Sequence, residues 1–271
     1  MSDKGATPIP STRVILWIHA RSRSTVFELA IASEKSIHVI HEPFATAYFM
    51  GEERLCHERF IKGPPFPGHR YRDVQSELER TYPDKIAVFV KDGAKVLGGR
   101  NHYGYIPKEY VNTFIVRNPK AAVLSAFRST KAMFPTEDDL DTLVDPCIDI
   151  CDMVPIYQLY KYVTEELQQR PIVVHSEDLV NSPRETLEKY CKATGLPFRE
   201  SFLNWEPGNI EHFPEYVKSP DFDLFNEKAI GSSCFIPSSD SDVDLTELPE
   251  KLRQCIDEYT LLYEEMISKK L

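Results

Sequence analysis

The stretch VILWIHARSRSTVFELAI, residues 14–31, decides how the chain folds. Val14 to Ile18 is a short run of aliphatic, β-branched and aromatic residues, the composition of a strand buried on both faces. From Val26 onward, apolar residues recur at helical spacing (Val26, Phe27, Ala30, Ile31), and Thr25 followed by Glu28 has the form of a capping box. Strand, tight turn and helix are therefore predicted. Packed into the turn are Arg21, Ser22, Arg23, Ser24 and Thr25. A helix N-terminus presents unpaired N–H groups and the positive end of its dipole, and two arginines add two full charges. A basic turn that merely caps a helix has no use for so many donors. Their density behind a buried strand points to a phosphate or sulfate site.

Further along, the same alternation recurs. Ser36 to Ile40 reads as a second strand running into His41-Glu42-Pro43-Phe44, Ile86 to Val90 as a third ending at Lys91-Asp92, and Val111 to Val116 as a fourth ending at Arg117-Asn118-Pro119. Asn118 can cap and Pro119 fits a first helical turn, so a helix is expected to about Phe127. Pro171 to His175 reads as a fifth strand, and Ser182-Pro183-Arg184-Glu185 as a capped helix start, with Gly195 and Pro197 as its stop. From Pro249, Leu252, Ile256, Tyr259, Tyr263, Met266 and Ile267 mark an amphipathic helix. Residues 45–83 read as an irregular lid or substrate insertion with a helical piece near 72–81.

Strands alternating with helices give an α/β fold, a three-layer sandwich around a central, mostly parallel sheet. Such sheets bind ligands at the carboxyl ends of their strands, where Arg21, Glu42, Lys91 and Arg117 all fall. With no Gly/Ser-rich linker, repeat or low-complexity tract, the 271 residues are expected to form one domain, 1–271, with a flexible N-terminus over about 1–12.

Composition narrows the partners. Lysine plus arginine number 32 against 42 aspartate plus glutamate, a net charge of −10, which argues against nucleic-acid or anionic-membrane binding and, for any small-molecule acceptor, favours a neutral or cationic one. The N-terminus has no signal-peptide core, and the six cysteines lack CxxC or metal spacing, so reduced thiols and a cytoplasmic location are expected, as monomer or homodimer. His57, His69 and His102 show no metal spacing, and the acidic run Glu137 to Asp141 reads as a solvated loop. Against that acidic background, Arg21, Arg23, Lys91 and Arg117 at one sheet edge invite a polyanionic small molecule. The Walker pattern GxxxxGK[ST] is absent, which weakens a magnesium-dependent NTPase.

These residues resemble the sulfotransferases that use 3′-phosphoadenosine 5′-phosphosulfate (PAPS), whose P-loop-like fold carries a PKSGTTW-type loop after the first strand. ARSRSTV at 20–26 is similar to that loop. Arg117 and Ser125 in VRNPKAAVLSAF match the family's 3′-phosphate pair, an arginine at a strand end with a serine eight residues on, and HSEDLVNSP at 175–183 is similar to its later strand–helix turn. Glu42-Pro43 resembles the branch with an "EP" dipeptide after the second strand. Arg23 replaces the loop glycine, the K-T-H segment appears as Lys91-Asp92-Gly93, and the C-terminal RKGxxG is missing, with Lys228 a weak substitute.

The resemblance implies PAPS as donor, PAP as product, and Arg21, Ser22, Arg23, Ser24, Thr25, Arg117 and Ser125 as its binding residues. Charge grows on the bridging oxygen as the sulfuryl group leaves, which suits Arg21 and the turn's N–H groups, with Lys91 assisting. The attacking hydroxyl or amine must lose a proton, and Glu42 is the candidate base. If the strand continued, His41 would point to the opposite face from Glu42 and be structural. Two alternatives stand beside this reading: a P-loop kinase of a nucleotide or metabolite, and a catalytically inactive nucleotide-binding scaffold of the same fold.

Overall fold

The computed structural model describes residues 12–56, 63–134, 140–218, 226–238 and 244–271. Its centre is a five-stranded sheet of β1 (Thr12–Ile18), β2 (Ile37–His41), β3 (Ala87–Gly93), β4 (Val111–Val116) and β5 (Ile172–His175). The order is β2-β3-β1-β4-β5 and every pairing is parallel. Val14 to Trp17 are fully buried, as a strand covered on both faces requires.

Alternate strand residues feed two cores. Val14, Leu16, Ile18, Ile37, Val39, Ala87 and Phe89 face one layer, which contains α1 (Ser24–Ala32), α7 (Ser176–Asn181) and α8 (Pro183–Thr194). Ile15, Trp17, Val88 and Val90 face the other, built from α2 (Pro43–Met50), α3 (Tyr71–Leu78), α4 (Pro119–Met133), α5 (Val144–Cys151), α6 (Val154–Lys161) and α9 (Glu250–Ile267). On this second face the indole of Trp17 donates to Asn112 Oδ1 at 2.8 Å, so its one polar atom is satisfied in the core. This strand parity also assigns the polar residues. His41 and Lys91 continue the α1 face, whereas Asp92 faces α2, where it accepts the Phe44 N–H at 2.6 Å.

The five predicted strands are all present, and several expected details change. β3 runs three residues further, to Gly93, so Lys91 lies within the strand instead of beyond it. The 45–83 insertion is less irregular than expected: α2 occupies its start, α3 lies near the anticipated helix, and residues 57–62, with His57, fall outside the described residues. α4 continues past Phe127 to Met133, since nothing from Arg128 to Met133 breaks a helix. The capping box of Thr25 and Glu28 does not form. Arg23 is the N-cap without a side-chain cap bond, Thr25 Oγ1 donates to Asn226 Oδ1 at 3.0 Å, and Glu28 is buried against other partners. Ser182 makes no cap bond either, because α7 runs directly into α8 through it.

Asn118 does cap α4, accepting from Lys120 N–H, and Gly195 ends α8 at φ 81°, a left-handed conformation that favours glycine. All six cysteines are free. Of the acidic run, 137–139 lie outside the described residues and Leu140 opens a 3₁₀ turn to Leu143. No helix among the described residues is long and apolar enough to cross a membrane. The predicted flexible N-terminus, apart from Thr12, also lies outside the described residues.

Candidate functional site

Strand order reverses around β1, so the turn after it opens at the crevice between β1 and β4, the place where open α/β sheets hold ligands. Within the turn, Arg21 and Arg23 both adopt φ 67°. Left-handed backbone costs a non-glycine residue about 1–3 kcal/mol. Three of the six such residues among those described, Arg21, Arg23 and Glu42, stand at this edge, and strain of this kind gathers where function over-determines the backbone. Arg23 thus takes the glycine-like conformation that its position in the loop requires.

The basic residues converge. Arg21 Nε donates to Ser125 Oγ on α4 at 3.0 Å, and Arg117 Nη1 donates to the Arg21 carbonyl at 3.1 Å. Burial, with the adjacent charge of Arg117, pulls Arg21 below its ordinary value. Two guanidiniums held beside an uncapped helix N-terminus form a focus of positive potential in a protein of net charge −10. Arg23 reaches the other way, toward the Ser176 carbonyl at 3.5 Å and Ser238 Oγ at 2.5 Å. Ser22 is fully buried with an unpartnered hydroxyl, and Ser24 is buried in the first turn of α1.

His19 ties this corner together. Its Nε2 accepts the Arg117 N–H at 3.1 Å, so its Nδ1 carries the proton and donates to the Ala20 carbonyl at 2.9 Å. Burial, helped by Arg117, lowers its pKa to about 4, which keeps it neutral.

A second group lies under the ends of β2 and β3. Lys91 Nζ is 2.7 Å from Glu42 Oε1 and 3.2 Å from Glu28 Oε2, and only 1% of its side chain is exposed. His41 Nδ1 donates to Glu28 at 2.9 Å, and its ring stacks on Phe213 at 3.8 Å. Burial opposes the charge on Lys91, Glu28 and Glu42. The neighbouring charges nevertheless win: Lys91 and His41 hold Glu42 below the usual carboxylate range and Glu28 well below it, while the two carboxylates raise Lys91. Asp92 is pushed well up by burial and by Glu42.

The expectation that His41 and Glu42 diverge fails for a geometric reason. β2 stops at His41, and Glu42, at φ 44°, turns its carboxylate back toward Lys91, with Oε1 3.9 Å from His41 Nε2. Glu42 is 30% exposed at its side chain, the member of the group that solvent reaches.

Sequence reasoning brought together Arg21, Arg117 and Ser125, and Glu42 with Lys91. It missed Glu28, whose helical spacing from Thr25 imitates a cap, and His212, whose Nε2 lies 3.5 Å from Glu28 Oε1 and which no motif marks. In the segment 226–238, where it named only Lys228, it missed Asn226 and Ser238, through which that segment reaches the loop. Lys228 sits in that segment, exposed.

No family model matches the chain. It is 24% identical over 198 residues to the branched-chain-amino-acid aminotransferase-like protein 2 of Arabidopsis thaliana, covering 72% of this chain and 32% of that protein. The chain therefore spans about a third of that relative's length. Among solved structures it is similar to mouse sulfotransferase SULT7A1 complexed with PAP, with a TM-score of 0.52 and 12% identity over 95% of this chain and 85% of that one. The sulfotransferase domain of the Synechococcus PCC 7002 olefin synthase aligns over 95% of this chain and 98% of that one, with 15% identity and a TM-score of 0.48. On the likeness to the mouse sulfotransferase structure, the chain, with its five-stranded parallel sheet, has the sulfotransferase fold.

Proposed function

We propose that this protein transfers a sulfuryl group from PAPS to a hydroxyl or amine of a small-molecule acceptor. The observation that carries the reading is the convergence of Arg21, Arg117 and Ser125 beside the uncapped N-terminus of α1. Two adjacent guanidiniums repel each other, and a bound dianion offsets that repulsion. The site fits the donor's two anionic ends: Arg117 and Ser125 suit its 3′-phosphate, while Arg21, Arg23, the loop residues Ser22 and Ser24, and Thr25 suit the 5′-phosphosulfate.

The roles follow from charge. Arg21 and the α1 N–H groups face the bridging oxygen, where negative charge grows as its bond to sulfur breaks. Glu42 accepts the proton released as the acceptor's oxygen or nitrogen bonds to sulfur, and PAP leaves with the electron pair of the broken bond. Lys91 assists by holding Glu42 in place at 2.7 Å. The short reach of Glu42 and its solvent-exposed edge support the acceptor's approach from the β2–α2 side. The small-molecule acceptor enters, on this reading, past α2.

Thermal unfolding with ligands tests donor recognition. At one hundred times its Kd, PAP is expected to stabilise the fold by about 2.7 kcal/mol, and ATP at the same concentration by less, because ATP lacks the 3′-phosphate. Arg117→Ala is expected to erase the difference. Equal stabilisation of wild type by both ligands removes the basis for PAPS. Turnover is then read by mass spectrometry of acceptor mixtures incubated with labelled PAPS.

A further inference from the structure

Glu28 is a carboxylate with no exposed surface, one helical turn below Ser24 on α1. A side chain of that type in a core needs a reason, since an apolar residue would pack there without desolvation cost. Its partners arrive from three other parts of the chain: His41 from the end of β2, Lys91 from β3, and His212 from the segment before Phe213. Glu42 meets the same ammonium from the start of α2, and Asp92 lies on the other face of β3, bonded to the Phe44 N–H. Lys91 is thus shared between a fully buried carboxylate behind it and a partly exposed one in front.

That arrangement has a chemical consequence. A lysine bonded to Glu42 alone would give it the whole of its field and make it a poor proton acceptor. A second carboxylate on the same ammonium adds a negative potential that offsets part of that field at Glu42, and it also fixes the nitrogen in space. We propose that Glu28 is a positioning residue, anchoring Lys91 and His41 from the α1 side so that Glu42 is held in one orientation and remains available to accept a proton. Phe213, stacked on His41, closes the cluster on its far side. The inference rests on Glu42 as the base.

A double-mutant cycle of Glu28→Gln and Glu42→Gln tests it, with two readouts. The first is PAP release from PAPS with water as acceptor, in which the bridging S–O bond breaks, water oxygen bonds to sulfur and hydrogen sulfate leaves. The second is the ¹³C carboxyl titration of Glu42, its signal assigned by its loss in Glu42→Gln. Glu28→Gln is expected to slow turnover about 10- to 100-fold, the cost of a misplaced reacting group, with PAP affinity unchanged. It is also expected to move the Glu42 titration to lower pH, because Lys91 is no longer shared. In the Glu42→Gln background it should cost nothing further.

An equal loss in both backgrounds, or an unmoved Glu42 titration in a protein that needs Glu42, overturns the role of Glu28. Wild-type turnover in Glu42→Gln overturns the base assignment instead, and the inference falls with it. Glu28→Asp guards against a Glu28→Gln protein that does not fold. It keeps the charge but is one methylene too short to hold His41 and Lys91 together, so slowed turnover is expected, and wild-type turnover overturns the proposal.

Discussion

Replacing Glu42 with glutamine tests the mechanism with little disturbance to the fold. The amide would keep the shape and one acceptor oxygen for Lys91, which sits 2.7 Å from the present carboxylate, and would lose the negative charge and the basicity. Removing one partner of a buried ion pair ordinarily costs about 3–5 kcal/mol because the other charge is stranded. Here Lys91 stays paired with Glu28 at 3.2 Å, and the glutamine oxygen still accepts from it. The expected loss is therefore nearer that of one charge-assisted hydrogen bond, about 1.5–3 kcal/mol. Measured turnover must consequently be normalised to folded protein, for which PAP binding by calorimetry serves.

The kinetic effect is larger than the structural one. Loss of a general base lowers the rate by about 10²- to 10⁴-fold, or roughly 3–5 kcal/mol of barrier, while donor affinity should hardly change. The pH profile separates the two effects. Burial alone would raise Glu42, but Lys91 and His41 outweigh it and hold the group below the ordinary carboxylate range. Glu42 therefore stays ionised down to a pH under about 4.5, and activity should fall only as pH drops through that lower value. In Glu42→Gln this acidic limb should vanish from the residual activity. Turnover above about a tenth of wild type, per folded molecule, refutes the assignment and moves the proton acceptor elsewhere.

Two further outcomes are expected. Turnover should survive EDTA, because on the proposed reading arginines and helix N–H groups supply the positive charge that magnesium supplies in phosphoryl-transfer enzymes; activity abolished by chelation and restored by magnesium favours the kinase reading. His19 should make the fold acid-sensitive: its pKa is depressed from 6.5 to about 4, so the stability it confers is complete above about pH 6.5 and lost as pH falls through about 4, about 3 kcal/mol in all. Urea titrations at pH 7 and 4.5 should show this loss in wild type and a smaller one in His19→Gln, and parallel losses in both proteins refute the assignment to His19.

The parts of this architecture that were legible in the sequence are those governed by local or periodic rules. Val14 to Ile18 reads as a strand because burial on both faces demands an unbroken apolar run, and the same rule finds Ala87 to Val90 and Ile172 to Val174, whereas His38 interrupts the run in β2 and Asn112 and Thr113 interrupt it in β4. Arg21 and Arg117 are legible because the turn that follows each strand fixes where they stand relative to the sheet edge, and Ser125 because its spacing from Arg117 resembles the sulfotransferases' 3′-phosphate pair. Lys91 broke the pattern. A charged residue ordinarily marks a strand's end, but β3 continues through it because Glu28 and Glu42 satisfy the ammonium inside the fold.

Glu28 shows why the remainder could not be read. Residues 25 and 28 satisfy a capping rule written for an isolated helix end, and tertiary partners defeat it: His41, Lys91 and His212 lie 13, 63 and 184 positions away along the chain. Locally, a glutamate three residues after a threonine saves one N–H from solvent, worth about 1 kcal/mol. The charge-assisted hydrogen bond that Glu28 makes to Lys91, an ammonium also held by Glu42, is worth more, about 1.5–3 kcal/mol. The carboxylate therefore stays in the core, and with Arg23 as the N-cap both Thr25 and Glu28 lie inside α1, whose first turn has no side-chain cap from Arg23. On the proposed reading those N–H groups are left for the donor's anionic end, so the failed capping rule at Thr25 and Glu28 and the electropositive mouth at Arg21 meet at one helix start.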